Sequence, residues 1–155
     1  MRKQSNGFTL IELIVVVTIM GILAAVGIPK YNLTVESARA ADAVGMVQIV
    51  ANAQRTCVID NPDNPFTTAC LIGAISSSHV LVQSKYLVDN DWNRMNYAYY
   101  TCDGAGGGGG CCGDNAIACG QRTAGSYNGW GYRINQSGAC SVLTATPATP
   151  PCPTF

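Results

Sequence analysis

An apolar stretch near the N-terminus dominates the hydrophobic pattern, running from Phe8 to Ile28. Apart from glycines, its only interruptions are Thr9, Glu12 and Thr18. As a helix rising about 1.5 Å per residue, this stretch would be about 30 Å long, the thickness of a bilayer core. The preceding segment carries Arg2 and Lys3, and this positive flank predicts a cytoplasmic N-terminus with the rest of the chain outside.

The pattern from Lys30 to Thr56 is that of an amphipathic helix, with frequent alanine and no proline. The residues spaced to form its apolar face are Val35, Ala38, Met46, Ile49, Val50 and Ala53. Asp42 falls on the same face with no evident partner. We therefore predict one long helix, with an apolar segment at 8–29 continued by an amphipathic segment at 30–56. Gly21 and Pro29 are the points where it would bend or unwind most easily.

Residues 57–155 show short apolar segments separated by turns, which indicate strands. The predicted strands are Tyr97–Cys102, Trp130–Ile134 and Cys140–Thr144. Residues 80–87 form a short strand or a helical turn, and residues 104–113 form a glycine-rich loop. The expected fold is α+β, with the long N-terminal helix packed against a small antiparallel sheet.

Eight cysteines, all in the C-terminal region, predict an oxidising compartment and a disulfide-stapled domain. Cys57–Cys70 and Cys140–Cys152 would each close a loop of about a dozen residues, worth about 3 kcal/mol per bond. The remaining four would pair among themselves, namely Cys102, Cys111, Cys112 and Cys119. The adjacent pair would take different partners, because a bond between neighbours strains the peptide between them.

Charge and residue types argue against several functional classes. Nine basic and nine acidic residues give no net charge that would favour nucleic acid. No Cys-x-x-Cys pair occurs, and His79, the only histidine, is far from any cysteine, so no metal site or cofactor is expected. No nucleophile–base motif is recognisable, and we expect no enzymatic activity.

The stretch Gly7-Phe8-Thr9-Leu10-Ile11-Glu12 resembles the signature of type IV prepilins, at the head of a long apolar helix. The resemblance implies removal of residues 1–7 as a leader by a membrane aspartyl peptidase that faces the cytoplasm. That prepilin peptidase would cut between Gly7 and Phe8 and methylate the new amine of Phe8. Glu12 would neutralise the Phe8 amine of a neighbouring subunit. Gly21 and Pro29 match positions where helices of this family lose regularity in the filament.

The resemblance predicts a subunit of an extracellular type IV pilus, first anchored in the inner-membrane bilayer and then polymerised with identical subunits by inner-membrane assembly machinery. One alternative is a pseudopilin of a type II secretion or DNA-uptake machine. A second is a membrane-tethered binding domain that never polymerises. The third is a secreted enzyme released by cleavage after Ala25, which would place the small-residue cleavage site behind the apolar run.

Overall fold

The computed structural model describes residues 8–63, 66, 70–113 and 115–153. The chain divides into two compact units, the first ending at Glu36 and the second beginning at Ser37. The first unit contains the apolar half of the long helix. The second contains its remaining half and all of the sheet.

Helix α1 extends from Leu10 to Asp60 without interruption, as the two consecutive helical patterns predict. It ends four residues later than expected, so Cys57 is a helical residue. The helix shows no break at Gly21 or Pro29 in this single chain. A proline removes one backbone donor from the helix, and the bonds on either side of it keep this helix regular. Irregularity at these residues inside a filament stays a prediction.

The second unit contains one antiparallel sheet whose five strands follow each other in sequence order. The strands are β1 (Gly73–Ala74), β2 (Tyr97–Thr101), β3 (Ala116–Arg122), β4 (Gly131–Asn135) and β5 (Cys140–Val142). A short helix, α2 (Val80–Gln83), and a 3-10 turn at Trp92–Arg94 lie between β1 and β2. The three predicted strands are present, with shifted ends, whereas the short strand β1 and the central strand β3 were missed.

The predicted apolar face of the amphipathic half of α1 is only partly correct, because Val50 and Ala53 are buried but other members are not. The buried apolar side chains are Ala40, Ala43, Val44, Val47, Val50, Ala51, Ala53 and Cys57, and the polar Glu36 and Gln54 are buried as well. Ala38 and Ile49, which were assigned to this face, are exposed, and Met46 is only half-buried. The correction also accounts for Asp42, since its position is exposed rather than on the packed face. The buried face is made of alanine and valine, whose small volume lets the helix approach the sheet closely.

Alternation along the strands gives the sheet two different faces. Tyr97 and Tyr99 of β2 and Tyr132 and Ile134 of β4 are buried in the core that includes α1. The residues between them point to the opposite face, where Tyr100, Cys119, Arg133 and Ser141 lie in register across β2 to β5. The glycine-rich loop covers this second face, because Gly110 lies directly against the Tyr100 ring.

Four disulfides staple the second unit. Cys57 bonds Cys70 and joins the end of α1 to the chain before β1, and Cys140 bonds Cys152. Both pairs agree with the predicted loops. The other two are Cys102–Cys112 and Cys111–Cys119, so the adjacent cysteines take different partners. These two bonds hold the C-terminal end of the glycine-rich loop to the residue that follows β2 and to strand β3.

Candidate assembly site at the head of the apolar helix

The apolar half of α1 has no covering within the described chain. Its large side chains are all about half exposed or more, from Val16 at 46 % to Phe8 at 83 %. By length and composition this is the one described segment that could cross a membrane, with a mean hydropathy of 2.6. An N-terminal signal sequence meets the same criterion. A surface this apolar requires lipid or other protein around it.

Thr9 and Glu12 form a capping box at the first turn of α1. The Glu12 carboxylate accepts from the Thr9 backbone N–H at 2.9 Å and from its hydroxyl at 2.7 Å. The Glu12 N–H in turn donates to Thr9 Oγ1 at 3.3 Å. Two of the donors that every helix N-terminus leaves unpaired are thereby satisfied. The sequence contains this capping signal as Thr-x-x-Glu. The sequence analysis predicted only that Glu12 pairs with a neighbouring subunit and did not predict the cap.

The capping box leaves part of the Glu12 carboxylate available. Both bonds from Thr9 end on Oε2, and Oε1 has no hydrogen-bond partner among the residues that the structure describes. Glu12 is also exposed. The box therefore fixes the orientation of a carboxylate whose other oxygen remains available to a cation.

The other predicted processing and assembly residues are distributed along the same segment. Gly7 lies outside the described residues, and Phe8 directly precedes the Thr9 cap and is the most exposed of the large apolar side chains described. A Cβ at Gly21 would meet nothing within 4 Å. Its lack of a side chain thus has no packing reason inside this chain, whereas small residues are typical where helices approach other helices in membranes.

The described cysteines and the histidine all have partners within the fold. The one group of possible metal ligands found among the described residues is Cys102, Cys112 and Cys119, and all three sulfurs are bonded in disulfides. His79 is buried, and its Nδ1 accepts the Leu81 N–H at 3.2 Å, capping α2. Its role in the described structure is therefore structural.

Comparisons with known proteins place the similarity at the same end of the chain. The family described as the prokaryotic N-terminal methylation motif matches residues 2–28. Type II secretion system core protein G of Pseudomonas aeruginosa is 34 % identical over 96 residues, covering 62 % of this chain and 64 % of that protein. A type IV major fimbrial protein FimA of Dichelobacter nodosus is 36 % identical over 78 residues, covering 50 % and 48 %. Another FimA is 46 % identical over 59 residues, covering 35 % and 37 %.

The chain thus spans between about a third and two thirds of the length of these relatives. No solved structure is significantly similar to it. Both kinds of relative are structural subunits named for filament or secretion systems, and the methylation motif coincides with the capped start of α1. The chain thus carries the N-terminal methylation motif and is homologous to type IV fimbrial proteins and to a type II secretion core protein.

Proposed function

We propose that the protein is the structural subunit of an extracellular type IV pilus. The observation that carries the proposal is the continuous helix α1, which begins with the methylation motif, exposes its apolar half and ends inside a disulfide-stapled domain. The apolar half resides in the inner membrane after synthesis. During assembly it exchanges lipid for the helices of identical subunits, which form the core of the filament.

Glu12 guides this exchange. The Phe8 amine created by cleavage is a cation at the apolar end of the helix, where charge is costly without a partner. Oε1 of Glu12 on a neighbouring subunit neutralises it, while Oε2 stays bound to Thr9 of its own chain. Only one axial offset between two helices brings the two charges together, so the pair also selects the correct position of an incoming subunit.

The first experiment changes Glu12 to Ala and Thr9 to Ala in separate strains, each with the variant as the only subunit. Loss of one partner from a buried ion pair costs about 3 to 5 kcal/mol, enough to stop subunit addition. Glu12→Ala should therefore be cleaved and inserted normally yet give no filaments. Loss of a helix N-cap costs about 0.5 to 2 kcal/mol, so Thr9→Ala should only reduce them.

The readout compares the cleaved subunit in the membrane with the subunit sheared from the surface. Filament levels reduced equally in both variants would assign Glu12 to capping alone. Wild-type filament levels from Glu12→Ala would contradict the pairing mechanism.

A pseudopilin of a type II secretion machine is the second candidate. It is favoured by the core protein G relative, which matches a longer part of the chain than the fimbrial relatives do. The high disulfide content favours the pilus, because it suits a filament that stays outside the cell. Deleting the gene separates the two candidates. Loss of surface filaments with normal protein secretion supports the pilus, and the reverse result supports the pseudopilin.

A further inference from the structure

A polar pocket lined in part by Arg133 lies on the sheet face opposite α1, and we term it the arginine pocket. Its volume is about 340 Å³, and Gln121 and Thr144 also line it. Arg133 Nε donates to the Cys111 carbonyl at 2.6 Å, which fixes the guanidinium beside the glycine-rich loop. The absence of a side chain at Gly113 makes room for it, since a Cβ there would lie 2.9 Å from Arg133 Cζ.

The guanidinium in this arginine pocket has unused donors. Neither Nη group of Arg133 has a hydrogen-bond partner within the ranges that the structure describes. Other arginines use their side chains internally. Arg55 donates to the carbonyls of Asn135 and Gln136, and Arg94 pairs with Asp91. The two free Nη groups of Arg133 match the geometry of a carboxylate.

A matching carboxylate lies in the loop after α2, which we term the acidic loop (residues 88–90). Val88 is 82 % exposed, the highest value among the large apolar residues of the second unit, and Asp89 beside it is also exposed. The Asp89 carboxylate makes no hydrogen bond or ion pair with any described residue. The neighbouring acids are engaged, because Asp60 accepts the Tyr86 hydroxyl and Asp91 pairs with Arg94.

The acidic loop and the arginine pocket lie at different places on the same chain. The acidic loop lies between α2 and the 3-10 turn, whose Trp92 packs edge-on against Tyr99 of β2. The arginine pocket lies over β3, β4 and the edge strand β5. Two complementary patches at different places on one molecule form a head-to-tail contact, and repeated contacts of this kind produce an open filament.

We propose that the acidic loop of one subunit docks into the arginine pocket of a second copy, with Asp89 paired to Arg133. This inference rests on the proposed filament and adds to it a contact between the stapled domains. The second copy is the favoured occupant, because each filament subunit carries the same loop and presents it at high local concentration. The Cys102–Cys112 and Cys111–Cys119 bonds shape the pocket by holding the glycine-rich loop.

The test is a charge swap in the full chain, expressed as the only subunit. Arg133→Asp or Asp89→Arg alone places like charges together and should lower the sheared filament fraction by about tenfold. The double variant restores the attraction and should recover most of the filaments. The matched control combines Arg133→Asp with Asp63→Arg, because Asp63 is another exposed loop aspartate and the net charge is the same.

A photoreactive residue at position 88 gives an independent readout. Illuminated filaments should yield a crosslink to the peptide that contains Arg133 or to the glycine-rich loop of another subunit, and the same probe at the exposed Ser126 should not. Equal recovery by both double variants, or wild-type filament levels from the single variants, would overturn the docking contact. Filaments would still be present in that case, so the proposed function would stand. Failure of the wild-type chain to build filaments would overturn both.

Discussion

His79 links three short elements at one edge of the sheet. Because its Nδ1 accepts the Leu81 N–H, the neutral ring carries its proton on Nε2, which lies 3.4 Å from Thr101 Oγ1. Burial lowers the pKa of His79, and a bond to the Leu71 carbonyl opposes this only in part. The ring is therefore neutral in the folded domain, and a proton on Nδ1 would remove the cap of α2.

The sign of the pH dependence follows from this lowered pKa. The unfolded chain takes up a proton near pH 6.5, whereas the folded chain does so at lower pH. The stability that neutral His79 provides is complete above about pH 6.5 and is lost as the pH falls below it. Denaturant unfolding of the mature chain in detergent at pH 7.5 and 5.5 should show this loss. The His79→Asn variant keeps a capping oxygen that does not titrate in this range, so its free energy of unfolding should fall less between the two pH values. An equal fall in the variant would assign the pH dependence to other groups.

The proposed cleavage between Gly7 and Phe8 predicts a requirement for a small residue at position 7. A peptidase that cuts there would have to accommodate the residue before the scissile bond, and glycine has no side chain. Gly7→Leu should leave the uncut precursor in the inner membrane, and Gly7→Ala, the smaller change, should be cut at a reduced rate. Immunoblots that resolve precursor from mature chain provide the measurement. Normal cleavage of Gly7→Leu would exclude the proposed junction.

The close approach of α1 to the sheet depends on β3. A Cβ at Gly120 would lie 2.7 Å from Val47 Cγ2 and 3.0 Å from the Tyr99 ring. Gly120→Ala should therefore lower the free energy of unfolding by about 1 to 3 kcal/mol. Adding Val47→Ala opens the space and should recover part of this loss, although Val47→Ala alone is also destabilising. If the double variant loses the sum of the stabilities that the two single variants lose, residues 120 and 47 are not in contact and the described packing is wrong.

Helix α1 and strand β3 show which elements could be predicted from the sequence and which could not. Helix α1 was predictable because its apolar and amphipathic patterns extend over many turns. Strand β3 was missed because Ala-Ile-Ala-Cys-Gly is short in β-branched residues and follows a glycine-rich loop. Its small residues are required by the closeness of α1, which is a tertiary constraint. The same closeness favours alanine and valine on the helix, so the large residues Met46 and Ile49 indicated the wrong face.

At the candidate site, the Gly7–Glu12 signature was recognisable because its residues occur in the expected order and stand at the start of a long apolar helix. The capping role of Glu12 was also readable from Thr9 three residues earlier. The arginine pocket was not predictable. It requires Arg133 of β4 and Cys111 of a distant loop to meet, and only the sheet register and the two disulfides bring them together.

At the scale of the whole molecule, α1 belongs to both units, with its apolar half in one and its packed half in the other. The first half has an exposed apolar surface, and the second is completed by its own sheet and disulfides. Under the proposed function, the subunit remains in the membrane as a folded protein before assembly. Polymerisation would then change the surroundings of the first unit without unfolding the second.

The most direct test of this account is intact mass spectrometry of the subunit sheared from the cell surface. We predict a mature chain that begins with N-methylated Phe8 and lacks the seven residues of the leader. Its non-reduced peptides should contain the four disulfides of the structure and no free thiol. A mature chain that begins near Val26, or is absent from surface filaments while abundant in the membrane, would contradict the account.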